Sequence, residues 1–241
     1  MDPGLKLQCT NYKNMSKNEI DEIKKLLYRS LVGCLLYLSI GTCPDIMYSI
    51  QQLLQYLDCY SYTHWNTAIC IVLYLSGTWQ LKLHLGRTNQ SSLLGFTDSD
   101  WVNCLDTRRS VGGHTYTLGS GVVSWQARKQ KTVAASSCEV EYTVAFKASK
   151  EGIWLCTLLN SINYPTTVPT TICCDNNAAI NISEDPALHN HVKHIDIKHH
   201  FLHECVQSNK VSLSYINTNN NITNIFTKAL DTKNSTTSMD S

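Results

Sequence analysis

The sequence predicts an α/β fold, a five-stranded mixed sheet with flanking helices, preceded by a small helical segment. Three observations predict it. The texture changes after a polar linker over 86–92, from helical periodicity to period-2 alternation. The elements that follow read as three strands, a long helix, a strand, helices, a strand and a last helical stretch. The first of those strands lies in LLGFTDSDW (93–101) and runs directly into Asp98 and Asp100. Leu94, Phe96, Asp98 and Asp100 share one face of a period-2 element. An apolar face that ends in carboxylates needs a neutralising partner, a Lys or Arg or a metal ion.

Composition bounds the function classes. The chain has 241 residues, enough for one or two domains with a real core, and 43% of it is hydrophobic. A formal charge of +1 gives no general pull toward polyanions, so nucleic-acid contact needs a local basic face. Eleven cysteines occur without a Cys-x-x-Cys pair, and Cys173 and Cys174 are adjacent in an apolar run. That pattern suits buried thiols and a reducing compartment, cytosolic or nuclear. The longest apolar run, 68–75, is far short of a bilayer span, and no charged-then-apolar leader is read at the N-terminus.

In chain order, 1–19 is a polar lead-in. Apolar residues recur at spacings of three and four from Ile20 to Ser39, which predicts a helix ended by Gly41 and Pro44. A second helix is expected over 45–57, and a third over 64–76 with Thr63 as N-cap and Gly77 as stop. Residues 81–85 read as extended. Strands are then expected at about 92–98, 113–118 and 122–126, the last two joined by the tight turn Gly119-Ser120-Gly121. The basic stretch Arg128-Lys129-Gln130-Lys131 leads to Ser136-Ser137, either of which caps a long helix over 139–160. A strand over 171–174 ends at Asp175. Helical patterns at 177–182 and 191–207, a strand at 211–216 and a helical stretch over 221–230 complete the domain. The tail from 231 on reads as disordered.

A long helix between strands three and four of one sheet makes a right-handed crossover, which lays strand four parallel to strand one. Asp98 and Asp175 then meet at the carboxyl ends of adjacent strands, where ligands gather in α/β sheets. Glu141, in the first turn of the crossover helix, reaches the same place. Taken singly, Glu141 reads as a helix-capping acid and Asp175 as a turn acid; the strand order favours the joint reading. Three close acids repel unless a cation lies among them, and an all-carboxylate set favours Mg²⁺ or Mn²⁺ over zinc. Two such ions are the equipment of in-line phosphoryl displacement.

The segments YRSLVGCLLYLSIGTCPDI, HWNTAICIVLYLSGT, GFTDSDWVNCLDTRRSVGGHTYTLGSGVVSWQARKQKTVAASSCEVEY, CDNNAAI, KHIDIKHHFLHE and NIFTKAL together resemble the C-terminal part of copia-type LTR-retrotransposon Pol polyproteins, over about 25–231. The resemblance implies that 1–88 is the helical tail of a reverse transcriptase, that 89–231 is a ribonuclease H-like domain, and that 232–241 is a tail. It implies cleavage of the RNA strand of an RNA–DNA hybrid with two Mg²⁺ or Mn²⁺ ions. Asp98, Glu141 and Asp175 match the family's carboxylates, with Asp100 and Glu139 as rivals within their motifs. Asn224 stands where the family carries a fourth acid and offers only weak metal contact. Asn176, Arg128, Lys129 and Lys131 are the expected nucleic-acid contacts, and the upstream reverse transcriptase region is a possible protein partner. If the element is active, the compartment extends to a virus-like particle. The polymerase motif Tyr-x-Asp-Asp does not occur in these residues, so DNA synthesis by this chain alone is not expected. A second reading is a silent nucleic-acid-binding remnant.

Two other constellations occur in the sequence. His189, His191, His194, His199, His200 and His203 offer His-x-x-His spacing, but no Cys or Glu completes a zinc set. Asp196 in the same helix is a conceivable fourth acid, and a surface acid otherwise. A Ser/His/Asp triad lacks a nucleophile-elbow signature.

Overall fold

The computed structural model describes residues 4–86, 92–100, 106–134, 136–164, 166–184 and 196–228, without the side chains of Asn14, Glu184 and 196–199. The expected tail and the first residues of the 191–207 helix lie outside them. The chain divides into two compact units, one holding the described residues of 1–83, 104–108 and 228, the other those of 84–103 and 109–227.

The first unit is helical. α1 (Lys17–Lys25) opens with a capping box in which Ser16 and Glu19 exchange bonds, and α2 spans Tyr28–Gly41. The single helix expected over 20–39 is therefore two. Ile23 and Tyr28 are both fully buried. Five residues apart on a straight helix they would point about 140° apart, so the backbone turns at Leu26 to bury both. A 3₁₀ turn at Pro44–Ile46 precedes α3 (Met47–Leu54), and α4 spans Tyr62–Gly77. Its cap is Ser61, not Thr63: the backbone N–H of Ser61 donates to His64 Nδ1 at 3.1 Å. The core gathers Tyr28, Val32, Leu35, Ile50, Leu53 and Ala68, and Tyr28 Oη donates to the Leu53 carbonyl. Cys9 and Cys59 are disulfide-bonded with Cα atoms 5.3 Å apart, while the other eight described cysteines, Cys173 and Cys174 among them, are free thiols.

The second unit is the sheet expected from the sequence. β1 (Leu93–Asp100), β2 (Val111–Leu118), β3 (Gly121–Lys129), β4 (Thr170–Cys174) and β5 (Val211–Tyr215) lie in the order β3-β2-β1-β4-β5. β1–β2 and β2–β3 are antiparallel; β1–β4 and β4–β5 are parallel. The crossover helix α5 (Ser137–Ser161) starts at Ser136, whose Oγ accepts from the Glu139 N–H. β3 runs three residues further than expected, so Arg128 and Lys129 belong to the edge strand. α6 (Asn177–Glu184) and α7 (Asp196–Gln207) follow β4. The described part of the stretch expected to be helical over 221–230 holds a 3₁₀ turn at Ile222–Phe226, which follows another at Thr218–Asn220.

The core lies between α5 and one sheet face: Leu93, Tyr116, Ile172, Tyr142, Ala145 and Ala148. Tyr116 occupies a slot that only glycines leave open. A Cβ at Gly95 would meet its ring at 2.7 Å, and one at Gly152 would meet its Oη at 2.5 Å. That hydroxyl donates to the Ala148 carbonyl at 2.7 Å, which satisfies its polar end inside the core. No described helix is long and apolar enough to cross a membrane.

Candidate active site

Parallel pairing of Leu94 with Thr171 and Phe96 with Cys173 brings Asp98 and Asp175 to the carboxyl ends of the neighbouring strands β1 and β4. The pleat decides which way each side chain points. Ser99 faces α5: its N–H and Oγ donate to Glu141 Oε1 at 3.0 and 2.7 Å. Asp98, one residue earlier, points to the other face, where Thr227 Oγ1 donates to its Oδ2. Asn221 Nδ2 donates to the Thr97 carbonyl at 2.7 Å, so the 218–227 segment is seated on β1.

Glu141, Cys174 and Asp175 each bring a donor atom to one place, all within 4.8 Å of one another. Asp98 is not a member of that group, although its charge still acts on Glu141. Glu141 is 5% exposed. Burial pushes its carboxyl up to about 8; the charges of Asp98 and Asp175 add to the rise, and the Ser99 hydrogen bonds oppose it. Cys174 is fully buried, with Sγ 4.0 Å from Glu141 Oε2, and it accepts from the Asn176 N–H at 3.5 Å. Burial, with Glu141 adding, pushes its thiol up to about 12. Asp175 Oδ2 accepts from Thr218 Oγ1 at 2.7 Å. These donors fit a divalent cation: two carboxylates and a sulfur from two elements, whose buried acid and thiol give up their protons as a cation takes their place.

The remaining expected residues are placed as follows. Asn224 donates through Nδ2 to the Thr218 carbonyl at 2.5 Å, and the Thr218 hydroxyl in turn donates to Asp175. Asn176 caps α6, its Oδ1 accepting from the Ala179 N–H at 3.1 Å. Asp100 is half-buried, and Glu139 sits in the first turn of α5. Ser99, Gly112 and Arg128 form one row across β1, β2 and β3, which puts the Arg128 backbone roughly 10 Å from Ser99 at normal strand spacing. Arg128 and Lys131 are exposed and Lys129 is half-buried. Of the histidines, His189, His191 and His194 lie outside the described residues, and His203 Nδ1 pairs with the Ser183 carbonyl at 3.0 Å.

Sequence reasoning missed Ser99, Cys174, Thr218 and Thr227. Ser99 lies inside the acidic strand end and Thr227 inside NIFTKAL, but nothing in their types marks them as holding carboxylates. Cys174 was legible only as a buried thiol.

No family model matches the chain. It is 34% identical over 203 residues to the retrovirus-related Pol polyprotein from transposon RE2 of Arabidopsis thaliana, covering 84% of this chain and 14% of that protein. To the corresponding polyprotein from transposon TNT 1-94 of Nicotiana tabacum it is 33% identical over 221 residues, covering 90% and 16%. The secreted RxLR effector protein 161 of Plasmopara viticola is 36% identical over 133 residues, covering 55% of this chain and 94% of that protein. Among solved structures, the N-terminal RNase H domain of rv2228c from Mycobacterium tuberculosis matches with a TM-score of 0.41 at 9% identity, covering 63% of this chain and 95% of that one. The foamy viral protease-reverse transcriptase in complex with RNA/DNA hybrid matches with a TM-score of 0.49 at 12% identity, covering 85% and 27%. The chain thus spans about a seventh of the length of the polyproteins it matches. It belongs to the family of the retrovirus-related Pol polyproteins from transposons.

Proposed function

We propose that the sheet unit is a metal-dependent ribonuclease H that cuts the RNA strand of an RNA–DNA hybrid endonucleolytically. The observation that carries the reading is the carboxylate cluster: Glu141, nearly buried, feels the charge of both Asp98 and Asp175, each from a different element. Kinship with Pol polyproteins over most of the chain supports it. In this reading Asp98, Glu141 and Asp175 hold two Mg²⁺ or Mn²⁺ ions, and Asn224 contributes a weak oxygen at most. Divalent cations supply water activation and offset charge on the leaving oxygen of an in-line displacement. Ser99 fixes Glu141, Thr218 fixes Asp175 and Thr227 fixes Asp98 by hydrogen bonds, so the acids are oriented before substrate arrives. Arg128, Lys129 and Lys131 run along a phosphate backbone beside the cluster, and Asn176 offers its amide while capping α6. Discrimination of RNA from DNA comes from 2′-hydroxyl contacts across the minor groove, so cleavage is largely independent of sequence. We read the helical unit as the tail of a reverse transcriptase.

One observation favours a second reading, a hybrid-binding protein without catalysis: the residue at 224 is an amide already engaged with Thr218. An assay of a labelled hybrid with Mg²⁺ and an Asp98→Asn control separates the two. Metal-dependent cutting lost in the variant supports the nuclease; tight binding without cutting supports the silent reading.

A further inference from the structure

Which ion the site selects is a separate matter, and it rests on the metal reading above. Cys174 Sγ shares its pocket with the oxygens of Glu141 and Asp175, all within 4.8 Å. Mg²⁺ takes oxygen ligands and has no use for the sulfur, whereas thiolate favours softer cations. We propose that Cys174 makes this site a trap for a thiophilic divalent cation such as Zn²⁺ or Cd²⁺, held by Cys174, Glu141 and Asp175 in place of the oxygen-bound activating ion.

The geometry allows it. Tetrahedral zinc holds sulfur at about 2.3 Å and carboxylate oxygen at about 2.1 Å, so its ligands lie roughly 3.5 Å apart. Sulfur and Glu141 Oε2 stand at 4.0 Å, and a small side-chain adjustment closes the set. The Asn176 N–H directed at Sγ stabilises negative charge on sulfur from outside the ligand set. Binding exchanges the thiol proton for the cation: the S–H bond breaks, an S–metal bond forms, and the proton leaves to solvent. Cys173 cannot substitute, because the pleat turns it to the opposite sheet face. Cys138, half-buried in the first turn of α5, is the thiol most in need of a control.

The test titrates the full chain with Cd²⁺ under a non-thiol reductant and follows thiolate-to-metal charge-transfer absorption. Wild type is compared with Cys174→Ser, with Cys174→Ala in case the serine folds poorly in the core, and with Glu141→Gln. Mn²⁺ binding, read by electron paramagnetic resonance, reports the carboxylate site separately. The expected result is one equivalent of cadmium–thiolate absorption in wild type that both Cys174 variants lack. Cd²⁺ should displace Mn²⁺ from wild type at concentrations at least about tenfold lower than from those variants, since even outer contacts to a bound metal are worth that much. Absorption that persists in the Cys174 variants, or equal displacement from all of them, overturns the proposal and leaves the carboxylate site standing. Failure of wild type to bind either ion overturns the metal reading and this proposal together.

Discussion

His114 should make the sheet unit acid-sensitive. It lies on β2, 5% exposed, between Thr97 of β1 and Gln126 of β3, neither of them charged. Burial, with the charge of Lys147 adding, pulls its ring from the ordinary 6.5 down to about 4. The fold therefore favours the neutral ring, and as pH falls the unfolded chain takes up the proton first. The stability this neutral ring contributes is complete above about 6.5 and is lost as pH falls toward 4. At about 1.4 kcal/mol per pH unit the whole gap is worth about 3 kcal/mol, of which about 2 kcal/mol has gone by pH 5. That is a large part of the 5–15 kcal/mol typical of a domain. Urea unfolding of wild type and His114→Gln at pH 7 and pH 5 isolates the contribution, because other titrating groups are common to both. Wild type should lose about 2 kcal/mol more than the variant between the two pH values. Parallel losses would refute the argument and mean that the ring is charged or solvated in the fold.

Other perturbations probe the core, the substrate face and the altered acid. Gly152→Ala puts a methyl 2.5 Å from Tyr116 Oη, so it should cost about 1–3 kcal/mol in urea unfolding; an unchanged midpoint would show that Tyr116 is free to move. Arg128→Ala should lower the slope of log affinity against log salt for an RNA–DNA hybrid by about 1, with little dependence on sequence. An unchanged slope would remove Arg128 from the substrate path. Asn224→Asp should raise cleavage at limiting Mg²⁺ by roughly tenfold, on the scale of a restored metal contact. No gain would show that the amide is not what limits the site.

The sheet was legible because its signals were local and strong. Period-2 alternation marked β1, a glycine turn joined β2 to β3, and one long helix between strands dictated that β4 lies beside β1. The site was less legible because strand order tells which strands are neighbours and not which neighbours share a helix-covered face. The pleat turns Ser99 toward α5 and Asp98 away from it, and the cluster facing α5 gains Cys174. The 221–230 stretch reads as helical from the sequence. Asn217 and Asn221, however, use their side chains to accept from the Asn219 and Thr223 N–H groups, which favours short turns over a continuous helix. The break between α1 and α2 was hidden for a different reason. Spacings of three and four run through it without interruption, and only the joint burial of Ile23 and Tyr28 demands the bend.

The most direct measurement is single-turnover cleavage of an RNA–DNA hybrid labelled on both strands, by wild type and Glu141→Gln, with Mg²⁺ and with chelator. Gln keeps the acceptor for Ser99 and removes only the charge. The account predicts a cut RNA strand, an intact DNA strand, dependence on Mg²⁺, and loss of cutting by at least about a hundredfold in the variant. Cleavage that survives chelator, or that proceeds equally in Glu141→Gln, would contradict it.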